Sequence, residues 1–165
     1  SNATNLTDAG DCTYADPGSY ATTGSTEQTP CAKGTFANTS GLPECATCEG
    51  GTFQNSTGAT DCRACVAGSY CEPGAAAPLP CEAGTFSDRT GLDDASQCKD
   101  AEPGYFATAG STKQTPCSKG SYTNASKKDE CVPCAGGTYL DVVKGTACVL
   151  CKAGSYCPPG AAAPL

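Results

Sequence analysis

The chain has 165 residues and a formal net charge of −7, with 20 Gly, 12 Pro and 15 Cys but no Met, Trp or His. Acidity without a basic stripe excludes a phosphate-backbone binder, and the lack of His removes the usual general base and the middle member of a Ser or Cys triad. Leu, Val and Phe are too sparse for a hydrocarbon core to offset chain entropy, so the cysteines must supply the constraint as disulfides, worth about 2–4 kcal/mol each and persistent only in oxidising surroundings.

Ser1-Asn2-Ala3 has the look of a tag-cleavage scar, but the sequence offers another reading. Shifted by 86 positions, Ser1 falls on Ser87, Thr4 on Thr90, Leu6 on Leu92 and Asp8 on Asp94. Every cysteine from Cys12 to Cys71 likewise has a twin 86 positions on, from Cys98 to Cys157. Gln28-Thr29-Pro30-Cys31 returns as Gln114-Thr115-Pro116-Cys117, and Pro73 to Leu79 is repeated unchanged at Pro159 to Leu165. Such a period marks an array whose units stack on their neighbours. The chain therefore reads as a window cut from a longer array. Residues 1–79 are a first copy entered part-way, 80–86 start the next small loop at the junction, and 87–165 are a second copy cut before its last cysteine.

A smaller beat runs inside the period: Cys, two residues, Gly, Thr or Ser, then Phe or Tyr. It appears at Cys31–Phe36, Cys48–Phe53, Cys65–Tyr70 and Cys81–Phe86, and again at Cys117–Tyr122, Cys134–Tyr139 and Cys151–Tyr156. Looser copies follow Cys12 and Cys98. Gly allows a tight turn beside the disulfide, and the next residues form a short strand that lays an aromatic ring over the sulfur staple. Strands of about three or four residues in small hairpins are predicted, with almost no helix, because Gly and Pro punctuate the chain throughout. Residues 21–30 and 107–116, rich in Thr, Ser and Gly, read as exposed loops that offer sites for O-linked sugar. The Pro-Gly-Ala-Ala-Ala-Pro-Leu run is a semi-rigid connector.

Two CxxC pairs thirteen residues apart, Cys45/Cys48 with Cys62/Cys65 and Cys131/Cys134 with Cys148/Cys151, fit a zinc-ribbon spacing. The further cysteines in each period, the absence of His and the accompanying glycosylation sequons favour disulfides and no metal or other cofactor. A redox CxxC lacks its βαβ setting. The beat suggests that each loop closes on the next cysteine, giving Cys31–Cys45, Cys48–Cys62, Cys117–Cys131 and Cys134–Cys148. The remainder stays open: Cys65–Cys71 with Cys81–Cys98, or Cys65–Cys81 with Cys71–Cys98, and Cys151 and Cys157 face the same ambiguity. Either scheme ties one period to the next through Cys98 and leaves Cys12 unpaired in this window.

Asn-x-Ser/Thr sequons stand at Asn5, Asn38, Asn55 and Asn124, and several of them in a cysteine-rich chain predict N-glycosylation. Asp93-Asp94 and Asp129-Glu130 match no calcium loop and read as solvated surface charge, as does Lys127-Lys128. No apolar run approaches the roughly 20 residues of a membrane span. The two copies differ most where Tyr139 to Lys144 replaces Phe53 to Gly58 and where Lys127-Lys128-Asp129 replaces Gly41-Leu42-Pro43.

The pattern Cys-x-x-Gly-Thr-Phe, about eight residues, Cys-x-x-Cys, together with Gly-Ser-Tyr-Cys-x-Pro-Gly, resembles the ephrin-receptor-like cysteine-rich repeats. It is more distantly similar to modules of tumour necrosis factor receptors and growth-factor receptors. The resemblance runs through all nine aromatic beats. It implies a small disulfide-rich β fold drawn out as an elongated tandem-repeat rod. It also implies an extracellular or cell-surface setting, such as the large surface and flagellar-hair proteins of protists and algae. The expectation is a non-enzymatic structural segment of a fibre, stalk or hair, glycosylated and in contact with other copies of itself or neighbouring repeats. The alternative is a ligand-binding receptor or adhesin module, with residues 127–144 as the place to look.

Overall fold

The computed structural model describes residues 9–165, so Ser1–Ala3 and the sequon at Asn5 lie outside the described residues. Eight two-stranded antiparallel sheets recur along the described chain, and the only helical pieces among the described residues are the 3-10 turns Ala9–Asp11 and Ala95–Gln97. This is a small disulfide-rich β fold with almost no helix.

Each beat begins with a glycine in the left-handed region. Gly18, Gly34, Gly51, Gly68, Gly84, Gly104, Gly120, Gly137 and Gly154 have φ between 78° and 87°, a conformation closed to most side chains. The two residues that follow form the outgoing strand at every one of these except Gly154. The return strand is the pair inside the next CxxC or its equivalent. Thr35 thus faces Thr47 and Phe36 faces Ala46, while Thr138 faces Leu150 and Tyr139 faces Val149. The Cys48 N–H donates to the Gly34 carbonyl at 2.9 Å and closes the hairpin.

The strands are two residues long, shorter than the sequence pattern suggested. The reason lies in where the third residue sends its amide. Ala37, immediately after Phe36, donates to the Ala59 carbonyl in the next rung at 3.0 Å rather than continuing its own hairpin. Lateral stacking takes over the backbone groups that a longer hairpin would need.

Each hairpin with its connecting loop forms one rung, and the rung glycines show five rungs in each 86-residue period, since Gly104 is the twin of Gly18. The same bonds recur from rung to rung. Gly34 N–H donates to the Gln54 carbonyl, Gln54 N–H to the Ala75 carbonyl, and Gly74 N–H back to the Cys48 carbonyl, at 2.8, 3.1 and 2.8 Å. Gly120, Leu140 and Gly160 repeat the set with Leu140, Ala161 and Cys134 as acceptors, at 2.8, 3.0 and 2.7 Å.

By contact density the described chain divides into two compact units, one of residues 9–66, 70–79 and 91–94, the other of 67–69, 80–90 and 95–165. The first unit buries Ala15, Cys31, Ala37, Cys48, Gln54, Cys65, Cys71 and Leu92. The second buries Cys81, Ser87, Ala101, Ala107, Cys117, Thr123, Cys134, Leu140 and Cys157. Two positions per rung account for almost all of these: the residue three before the rung glycine and the residue three after it. Sulfur and small side chains fill most of the interior, and Leu92 is the largest side chain buried completely.

Candidate functional site: the ladder of staples and turns

Seven disulfides lie along the described chain. Cys31–Cys45, Cys48–Cys62, Cys117–Cys131 and Cys134–Cys148 each span 14 residues. Cys65–Cys71 and Cys151–Cys157 span 6, and Cys81–Cys98 spans 17. The interleaved scheme, Cys65–Cys81 with Cys71–Cys98, is therefore not the one present. Its cause is the position three residues after the rung glycine: Cys71 occupies it, buried beside its own rung's Cys65, where other rungs carry Ala37, Ser87 or Ala107. The two cysteines of each CxxC close different loops, so the motif is a junction between staples. Among the described residues no group of three or more His, Cys, Asp or Glu side chains is placed to hold a metal. Cys12 is exposed and outside any disulfide.

One rung per period has no staple. Ala101 stands where its neighbours carry the buried first cysteine, and Gln114, three residues before Cys117, stands where they carry the second. A polar latch replaces the disulfide. The Gln114 Oε1 accepts from the Glu102 backbone N–H at 2.8 Å while its Nε2 donates to the Glu102 carboxylate at 3.2 Å. The first copy repeats the device with Ala15 and Gln28. Gln28 accepts from the Asp16 N–H at 2.6 Å and donates to the Asp16 carboxylate at 2.9 Å.

Each loop then turns at a second left-handed residue, whose N–H donates to the first-cysteine position of an earlier rung. Gly58 donates to Cys31, Gly91 to Cys65 and Gly110 to Cys81, at 2.8 to 2.9 Å. Two rungs depart from glycine here: Lys127 and Lys144 hold φ of 59° and 61°. Lys127 lies 3.6 Å from the Glu82 carboxylate, both side chains exposed. The Lys144 ammonium sits 5.3 Å from the centre of the Tyr105 ring, and a hydrogen bond to the Tyr105 side chain raises its pKa above the ordinary lysine value.

The divergent segment 139–144 is partly interior. Leu140, 5% exposed, takes the position of Gln54, whose side chain donates to the Asp61 carbonyl at 2.8 Å and accepts from the Ser56 N–H. Gly145, the twin of Ala59, is buried, and a methyl placed on it would overlap the Leu140 side chain. The two copies thus fill one cavity in two ways, a polar Gln beside Ala or an apolar Leu beside Gly. Only the tip of the segment faces outward, with Val142 and Val143 at 51% and 54% exposure. Asn38, Asn55 and Asn124 are all exposed. Asp129 and Glu130 are exposed as well, while Asp93 packs against Gly50. The 127–129 difference matters for its backbone, since the left-handed Lys127 stands in place of Gly41.

The latch, the second turn position and the Leu140–Gly145 exchange were not recognised in the sequence. The signal for the first was visible there: Gln occupies the cysteine register three residues before Cys31 and Cys117. No helix among the described residues is long and apolar enough to cross a membrane. No curated protein matches the chain. Residues 34–77, which hold the rungs opened by Gly34, Gly51 and Gly68, match the family model described as tyrosine-protein kinase ephrin type A/B receptor-like. With that match, seven disulfides and one hairpin pattern recurring along the described chain, the chain carries an ephrin-receptor-like cysteine-rich module over residues 34–77.

Proposed function

We propose that the chain is a non-enzymatic structural segment of an extracellular fibrous or cell-surface protein, such as a surface fibre, stalk or flagellar hair. The observation that carries this reading is the rung-to-rung identity of the hydrogen bonds, in which the rung-glycine amides from Gly18 to Gly137 are each satisfied by the following rung. Such a design adds length without adding a distinct site, and nearest-neighbour interfaces supply the stability. Disulfides replace the core that the composition lacks and require an oxidising compartment. Other copies of the chain or neighbouring repeats are the natural partners of a segment built this way. Electron microscopy of the protein under non-reducing conditions tests the reading. Filaments or stiff rods that collapse on adding a reductant support it, and compact, reductant-insensitive particles overturn it.

A second reading, a ligand-binding receptor or adhesin module, is favoured by one observation. Val142 and Val143 stand exposed at a loop tip where the first copy carries Ser56 and Thr57. A binding partner whose capture is abolished by Val142→Ser with Val143→Thr would establish that reading instead.

A further inference from the structure

We propose that the midpoint of the fourteen-residue disulfide loop is the glycan-bearing position of a rung wherever a sequon falls there, and that Asn38, Asn55 and Asn124 carry N-linked oligosaccharides at it. This rests on the extracellular reading. Asn38 lies seven residues after Cys31 and seven before Cys45, Asn55 likewise between Cys48 and Cys62, and Asn124 between Cys117 and Cys131. The local geometry is the same in all three. Each asparagine directly follows a buried residue, Ala37, Gln54 or Thr123. Each stands three residues before the left-handed turn residue, Gly41, Gly58 or Lys127. The buried residue holds the chain to the rung, and the left-handed residue turns it back. The three residues between them, which are the whole sequon, are exposed in every case.

The acceptor groups suit the transfer. Ser40, Thr57 and Ser126 supply the hydroxyl two residues on. At Asn55 the Oδ1 accepts from the Ser56 hydroxyl at 3.4 Å, so the amide nitrogen is outside that bond. In the reaction the Asn Nδ2 forms a bond to C1 of an oligosaccharide held on a pyrophosphoryl lipid. The C1–O bond breaks, the pyrophosphoryl lipid leaves with the electron pair, and the amide gives up one proton. The fourth loop of this length, Cys134–Cys148, has Asp141 at its midpoint and no sequon, so its exposed valines stay uncovered. Three loops of four are sugar-coated, and one is bare.

The test is to secrete the chain from a eukaryotic cell line and map glycopeptides by mass spectrometry before and after peptide-N-glycosidase. Sugar is expected at Asn38, Asn55 and Asn124, lost from Asn124 alone in Ser126→Ala. Asp141→Asn with Val143→Thr is expected to gain a glycan at position 141 with the disulfides intact. Secreted, fully disulfide-bonded chain with these asparagines bare would overturn the proposal and leave the extracellular reading standing. Retention inside the cell with reduced thiols would overturn that reading and this proposal with it.

Discussion

Converting the latched rung into a stapled one tests whether every rung is built on one plan. The double variant Ala101→Cys/Gln114→Cys places thiols at the two positions where neighbouring rungs carry cysteine, and Ala101 is as fully buried as Cys117 or Cys134. Closing a loop of about 15 residues is worth about 3 kcal/mol through the unfolded state. Against this stands the loss of the Gln114 latch, two exposed hydrogen bonds to Glu102 at about 0.5–1.5 kcal/mol between them after solvent competition. A net gain of about 1.5–2.5 kcal/mol follows, which raises Tm by roughly 3–10 °C for a chain of this size. Cys12→Ser removes the exposed thiol and should serve as the background. Non-reducing mass spectrometry and thiol titration report the new bond, and thermal unfolding reports its worth. If the two thiols stay free in the folded chain, or the bond forms and Tm falls, Ala101 and Gln114 do not occupy a cysteine register and the reasoning fails.

Four further outcomes follow from the same geometry. Gly120→Ala must both hold a left-handed φ and overlap the Gly160 carbonyl, whereas Gly137→Ala meets nothing within contact distance. By thermal or denaturant unfolding the first should cost about 1–3 kcal/mol more than the second, the expense of forced overpacking. Gly145→Ala should destabilise through its clash with Leu140, and adding Leu140→Gln should recover most of the loss by restoring the pairing of the first copy. Lys127→Gly relieves a left-handed strain of about 1–2 kcal/mol at a cost of about 0.5–1 kcal/mol in unfolded-chain entropy; its salt bridge to Glu82 is exposed and contributes little, so a small gain in Tm is expected. Tyr105→Phe removes the hydrogen bond that raises the Lys144 pKa, so the ammonium should lose its proton at lower pH in the variant, as followed by NMR titration. That contact favours the folded state below the ordinary lysine pKa, and its contribution fades as pH rises through the raised value.

The spacing of glycine, aromatic and cysteine residues by itself determined that this chain folds as repeated small hairpins without helix. Those residues act locally: a left-handed glycine forces a turn wherever it stands, and a loop of fixed length returns a strand to its partner. The 86-residue period and the family pattern were legible for the same reason, since an array repeats its local rules. Tertiary structure decided what depends on neighbours in the next rung. It limited strands to two residues, because Ala37 and its equivalents spend their amides on stacking. It selected Cys65–Cys71 over the interleaved alternative, because Cys71 falls on an inward position. It also separated the divergent segment into a repacked interior at Leu140 and Gly145 and an exposed tip at Val142 and Val143. A sequence lists these residues side by side, and only the stack of rungs gives each one an inside and an outside.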